Sequence, residues 1–254
     1  MAGSQILDYS VKEHVATITL NRPEKLNAIN LAMLGDLFEA FESAHADDNV
    51  WIVVLMGNGP SFCVGHDLEM SVAKVKPGRT TDDLYIYQRE IFKPLIAGIH
   101  GHCLAQGAGL ALGCDIRIAG ESTKIGWPQV KRGISSISGP SVLAHVVPLG
   151  RAMELLFTGD MIDASEAQKL GIVNRIVPDD QVPAAVEEMI GRILGAAPPA
   201  VRGMKEAVMR GLPLRLEDRV RVASYVSLKV ALTNDAKEGL RAFAEKRPPV
   251  WSGF

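Results

Sequence analysis

One stretch constrains this chain more than any other: Ile99-His100-Gly101-His102-Cys103-Leu104-Ala105-Gln106-Gly107-Ala108-Gly109-Leu110-Ala111-Leu112-Gly113-Cys114-Asp115. A compact apolar run, residues 95–99, leads into it from Lys93-Pro94. Small residues crowd its middle, and the apolar pattern resumes at Leu110-Ala111-Leu112. Such a pattern predicts a buried strand, a tight turn and a helix whose first turn is almost without side chains. N–H groups in a first helical turn have no intrahelical acceptor, and bare of side chains they form a site for developing negative charge. The rest of the chain must supply the identity of that anion.

Residues 11–20 alternate, with Ala16, Ile18 and Leu20 on one face and Val15, Thr17 and Thr19 on the other, as in a half-buried strand. Residues 21–27, polar and containing Pro23, read as a loop. Asn30 is placed to cap a helix with the apolar stripe Leu34, Leu37, Phe38 and Phe41. The unbroken apolar run 51–56 predicts a strand buried on both faces. Strand, helix and buried strand in this order imply parallel β-structure with crossover helices. Residues 74–83, charged and carrying Pro77-Gly78, read as an exposed, mobile segment, followed by a helix from about Asp82 to Lys93. Residues 116–119 alternate like a strand, 124–140 read as a loop region, Asp163 caps a helix that Gly171 ends, and 172–177 form another strand.

Beyond Gln181 the pattern is helical only, over residues 182–194, 200–209, 216–232 and 235–245. The change near residues 195–199 divides an α/β core, 1–195, from a helical region, 196–254.

A chain of 254 residues can bury one large core, or one core with a smaller appendage. The net charge of −2 excludes a general electrostatic pull on nucleic acid, so an anionic ligand needs a local basic cluster. Lys74, Lys76 and Arg79 are either that cluster or a solvated face. Cys63, Cys103 and Cys114 are odd in number and lack CxxC spacing, which favours reduced thiols in a cytoplasmic protein. Neither a basic-then-apolar leader nor a bilayer-length apolar run is evident, so export and membrane insertion are not expected. Cys63 and Cys103 have no clear base beside them and read as buried thiols rather than nucleophiles. His100 and His102 flank Gly101 without an acidic partner, which favours turn or packing roles over a metal site. Gly107, Gly109 and Gly113 miss the dinucleotide-binding register by one residue.

Three segments together resemble the crotonase, or enoyl-CoA hydratase/isomerase, superfamily: residues 21–29, residues 61–68 (Ser61-Phe62-Cys63-Val64-Gly65-His66-Asp67-Leu68), and the run from Lys93 to Asp115. Residues 156–173 and the tail 243–249 support the match, so the resemblance covers nearly the whole chain in order. It implies a spiral of ββα units followed by a C-terminal helical trimerisation region, assembled as a homotrimer or as a hexamer of two trimers. It also implies acyl-CoA thioester substrates, no metal and no cofactor beyond the coenzyme A moiety. The shared step is stabilisation of a thioester enolate by two backbone N–H groups, which the match assigns to His66 and Gln106. Lys25, Ala28, Val64, Gly65, Asp67 and Leu68 are implied to hold coenzyme A, and Lys246 to reach the coenzyme of a neighbouring subunit.

The chain departs from this pattern where hydratases carry two glutamates, which here read Gly109 and Gln129. Neither side chain transfers a proton at neutral pH, although Gln129 can still orient water or a carboxylate. Other polar candidates are Ser135, Ser136 and the His66 side chain. A lysine that contacts coenzyme A in some members is Glu69 here. The reaction expected is therefore not simple hydration. Decarboxylation of a malonyl-type thioester, thioester hydrolysis or isomerisation stays open, as does a coenzyme-A-binding assembly protein without activity. NAD-linked redox chemistry is a further alternative.

Overall fold

The alternation over residues 11–20 is broken once, because Glu13 and His14 take φ of 46° and 69°, as a two-residue hairpin turn requires. Those residues therefore belong to two antiparallel strands, β1 (Leu7–Lys12) and β2 (Val15–Leu20), rather than one. Ala16, Ile18 and Leu20 are fully buried, on one face as their alternation requires. In the computed structural model, which describes residues 6–67 and 79–254, β2 is followed by α1 (Leu31–Ala46). The Asn30 side chain caps this helix by accepting from the Met33 N–H at 2.8 Å. Leu34, Leu37, Phe38 and Phe41 are its buried stripe.

The chain returns through β3 (Ile52–Gly57), α2 (Thr81–Glu90), β4 (Leu95–Ile99), β5 (His102–Leu104) and α3 (Gln106–Gly113). It continues with β6 (Ile116–Gly120), β7 (Lys124–Gly126), α4 (Ser138–Val142), α5 (Leu149–Thr158), β8 (Met161–Asp163), α6 (Ala164–Lys169) and β9 (Arg175–Val177). A six-stranded sheet has the order β1-β2-β3-β4-β6-β9, parallel except for the hairpin, and a three-stranded sheet has the order β5-β7-β8. The pairs β4–β5 and β6–β7 each place one strand in either sheet before the next helix, so the ββα succession and the α/β class hold.

Two expectations need correction. Residues 124–140 are not simply loop, because three of them form β7, which completes the small sheet, and α4 begins at Ser138. The last strand before the helices is shorter than residues 172–177, since Ile172 and Val173 turn off α6 by bonding to the Ala167 carbonyl. Of the expected exposed segment 74–83, residues 74–78 lie outside the described residues, and Thr81–Asp83 open α2.

Four helices follow: α7 (Val182–Leu194), α8 (Pro198–Gly211), α9 (Leu216–Ala231) and α10 (Asn234–Glu245). Val182, Val186 and Ile190 of α7 pack on Ile52, Val54, Ile96 and Ile118 of the large sheet. Asp115 ties α8 to the core: its carboxylate accepts from the Leu95 N–H at 2.8 Å and from Lys205 Nζ at 2.6 Å. The later helices leave large apolar side chains uncovered, among them Leu232 at 79% and Phe243 at 87% exposure. No helix among the described residues is long and apolar enough to cross a membrane.

Candidate active site

The site forms where three backbone segments are laced together. Phe62 and Cys63 donate their N–H groups to the His100 and His102 carbonyls, which pins residues 62–63 beside β5. Three residues on, His66 bridges Ile29: the Ile29 N–H donates to the Gly65 carbonyl at 2.8 Å, and the Asp67 N–H to the Ile29 carbonyl at 2.9 Å. A parallel bridge of this kind uses the groups on either side of His66. The His66 N–H is therefore directed away from Ile29, and it has no partner among the described residues.

Gly65 makes this close approach possible. Its φ is +102°, and a Cβ there would stand 2.9 Å from the Ala105 Cβ and 3.3 Å from the Gln106 nitrogen. On the other side Ala105 takes φ 52° and ψ −116°, a backbone conformation uncommon for an L-residue with a side chain. That turn aims the first amide of α3, at Gln106, without a partner among the described residues. The bare first turn has a steric cause: a Cβ on Gly107 would lie 2.3 Å from the Cys63 carbonyl oxygen.

Both turns border one cavity of about 700 Å³. Lys25, Ala28, Val64, His66, Asp67, Gln106 and Gln129, all singled out from the sequence, line it. Gly65 sits in its turn, Leu68 lies outside the described residues, and Lys246 is exposed at the end of α10, away from the cavity. Leu26, His102, Leu104, Pro128, Arg132 and Ile134 also line the cavity, as does the candidate Ser135. Ser136 faces α4 instead, accepting from the Gly139 N–H.

The cavity's charge is set by a few side chains. Asp67 is paired with Arg22 at 3.0 Å, both nearly buried, and the same guanidinium donates to the Ala28 carbonyl at 2.6 Å. This pair joins the loop before α1 to the His66 turn. Lys25 and Arg132 are the lysine and arginine on the cavity wall, so its electrostatics favour an anionic ligand. Arg79, by contrast, is spent on Glu42 and lies over the Phe38 ring at 4.9 Å, which leaves it as part of a solvated face. Lys74, Lys76 and Glu69 lie outside the described residues.

His66 Nε2 is 2.9 Å from Thr81 Oγ1. Partial withdrawal from water lowers its pKa from the ordinary imidazole value, and the Asp82 carboxylate only partly opposes this. Burial pushes the Cys63 and Cys114 thiols up to about 12 and Cys103 well above its ordinary value, so none is a thiolate near neutrality. His100 is held to the Gly59 carbonyl at 2.7 Å, and His102, which lines the cavity, lies 3.4 Å from Ser61 Oγ. No three-residue cluster able to hold a metal occurs among the described residues.

Position 129 presents a glutamine whose Oε1 is buried without a partner. Position 109 is filled from elsewhere: a Cβ there would meet the Tyr85 hydroxyl at 2.7 Å and the Ser138 Cβ at 2.5 Å. Tyr85 and Thr81 were missed in the sequence. Their one visible signal is the i, i+4 spacing on α2, which puts them on a common face.

Residues 10–253 match the family model of enoyl-CoA hydratase/isomerase. A putative enoyl-CoA hydratase of Thermus thermophilus is 35% identical over 94% of this chain and 97% of its own length. The (E)-benzylidenesuccinyl-CoA hydratase of Thauera aromatica is 32% identical over 96% and 97%. Among solved structures, an enoyl-CoA hydratase from Bacillus anthracis superposes with a TM-score of 0.92 at 32% identity, covering 98% of this chain and all of that one. With the two facing turns, the ββα succession and these matches along its whole length, the chain belongs to the enoyl-CoA hydratase/isomerase family of the crotonase superfamily.

Proposed function

We propose that the cavity takes an acyl-CoA thioester and that the backbone N–H groups of His66 and Gln106 form an oxyanion hole for its enolate. One observation carries this reading: two amides without partners among the described residues sit on turns that meet at Gly65 and Ala105 beside a common cavity. Donors fixed in advance around a developing oxyanion are worth roughly 2.7–4 kcal/mol each. Lys25, Ala28, Val64, Gly65, Asp67 and Leu68 hold the coenzyme A side, with Arg22 and Asp67 bracing the two loops. No cofactor beyond the coenzyme A moiety enters this chemistry.

The reaction favoured is one that needs the hole more than a base. The carboxylate among the cavity-lining residues is Asp67, already engaged by Arg22, and positions 109 and 129 are Gly109 and Gln129. Loss of carbon dioxide from a malonyl-type thioester delivers the enolate electron pair without proton abstraction, and thioester hydrolysis can use a water oriented by Gln129. Incubation with enoyl-, malonyl- and hydroxyacyl-CoA thioesters, read by mass spectrometry and calorimetry, tests this. Loss of carbon dioxide from a malonyl-type thioester, or release of free coenzyme A from a hydroxyacyl thioester, supports it, whereas interconversion of the enoyl and hydroxyacyl thioesters overturns it. Binding without turnover favours a non-catalytic coenzyme-A-binding protein, and absence of binding removes the reading.

The region 196–254 is proposed to assemble the chain into a homotrimer, or a hexamer of two trimers. The uncovered apolar side chains of α8, α9 and α10 support this. Lys246, exposed at the end of α10, would then reach the coenzyme of a neighbouring subunit.

A further inference from the structure

We propose that α2 is a clamp on the thioester site, with Thr81 and Tyr85 as positioning residues for the two residues that supply the backbone donors. Thr81 Oγ1 lies 2.9 Å from His66 Nε2, and the Tyr85 hydroxyl donates to Gln106 Oε1. Thr81 and Tyr85 are one helical turn apart, so one face of one helix holds the side chains of both donor residues. The proposal rests on the oxyanion-hole reading and adds to it the device that keeps the hole in register.

A clamp is needed because of the turn on which one donor sits. Ala105, at φ 52°, lies in a region that L-residues adopt only when their surroundings over-determine it. Two contacts supply that constraint. Ser138 Oγ donates to the Ala105 carbonyl at 3.1 Å, and Tyr85 holds the next residue, Gln106, by its side chain while approaching its carbonyl at 3.3 Å. Tyr85 is itself immobilised, 5% exposed, with its hydroxyl in the volume that a side chain at position 109 would occupy. Burial raises its pKa, so the hydroxyl stays protonated and remains a donor.

The clamp also changes what the site presents. With Gln106 Oε1 engaged by Tyr85, the carboxamide Nε2 has no partner among the described residues, and Gln106 lines the cavity. The site therefore offers a side-chain donor beside the backbone donor of the same residue. A dipole fixed in advance acts on developing charge without reorganising. Thr81, 4% exposed, holds the His66 ring at Nε2.

The test uses the full-length protein with crotonyl-CoA labelled with carbon-13 at the thioester carbonyl. The carbonyl stretch of the bound thioester is read by infrared difference spectroscopy for the natural protein and for Tyr85→Phe, Thr81→Val and Thr81→Ser. Turnover is read on whichever thioester the natural protein consumes. The expected result is a carbonyl band moved to lower frequency in the natural protein and moved less in Tyr85→Phe. In that variant kcat falls between about tenfold and about a hundredfold, the scale of a misplaced catalytic group, while KM changes little. Thr81→Val behaves alike, and Thr81→Ser restores both readouts, which a merely structural role would not require.

Unchanged band and kcat in both Tyr85→Phe and Thr81→Val overturn the clamp while leaving the oxyanion hole standing. A natural protein that binds the thioester without moving its carbonyl band overturns the hole and the clamp together. If Tyr85→Phe does not fold, the Thr81→Val and Thr81→Ser pair decides.

Discussion

Gly109 and Tyr85 share a single volume: a Cβ on the glycine would stand 2.7 Å from the tyrosine hydroxyl oxygen. The absence of a carboxylate at position 109 is thus built into the packing of α2 against α3. Gly109→Ala would ordinarily stabilise a helix interior by roughly 0.5–1 kcal/mol. Here it must displace Tyr85 and Ser138, and overpacking of this kind costs about 1–3 kcal/mol. Urea unfolding of Gly109→Ala is therefore expected to show a net loss of stability, and a gain would mean that the tyrosine yields freely.

Hydration of crotonyl-CoA by the natural protein is expected to be slow. Each absent acid/base group is worth roughly 10²- to 10⁴-fold. Gln129→Glu alone returns one carboxylate, and Gly109→Glu has no room for the other while Tyr85 is in place. Loss of the enoyl absorbance measures the rate, and rapid hydration by the natural chain would show that other groups move the protons.

Arg22 and Asp67 brace the cavity from both loops. Removing one member of a nearly buried pair leaves the other uncompensated, at a cost of about 3–5 kcal/mol. Asp67→Asn keeps the shape while removing the charge, and is expected to lower the denaturant midpoint and weaken acyl-CoA binding measured by calorimetry. Equal affinity would separate the pair from the ligand site.

His66 gives a pH dependence with a definite sign. Its folded pKa lies below the ordinary 6.5 because partial withdrawal from water disfavours the imidazolium. As pH falls below about 6.5, the unfolded chain takes up a proton that the folded chain resists, so stability declines over that window and levels off below the folded pKa. Above 6.5 neither state is protonated and the contribution vanishes. Unfolding free energies measured between pH 5 and 7 are expected to show this slope, and His66→Gln to flatten it. An NMR titration of the ring above 6.5 would reverse the sign.

The apolar side chains left open on α10 make assembly testable. Leu240 and Phe243 are 76% and 87% exposed in the single chain. Phe243→Glu is expected to reduce the sedimentation coefficient of the natural protein toward that of one chain. A natural protein that already sediments as one chain would remove the trimer.

Much of the architecture was legible because it follows from local patterns. The Asn30 cap, the buried stripe of α1 and the apolar run in β3 are properties of neighbouring residues, and they appear where periodicity puts them. Residues 11–20 read as one strand from the sequence because alternation continues through a two-residue turn, whose signature is the positive φ of Glu13 and His14. The short β7 was missed because three residues carry no period, and only pairing with β5 and β8 defines it.

The sequence by itself determined the bare turn at Ala105-Gln106-Gly107, the family, and the uncharged identities of Gly109 and Gln129. These are statements about which groups are present, and a sequence lists groups. Tertiary structure alone decided that the His66 and Gln106 amides border one cavity, that Arg22 engages Asp67, and that Tyr85 fills the space beside Gly109. Each of these relationships spans residues 24 to 45 positions apart in the chain or more loosely linked segments still, and arises from close packing, which no local pattern records. The stretch from Ile99 to Asp115 announces a helix start ready for an anion. The segments packed against it decide what that helix start can do.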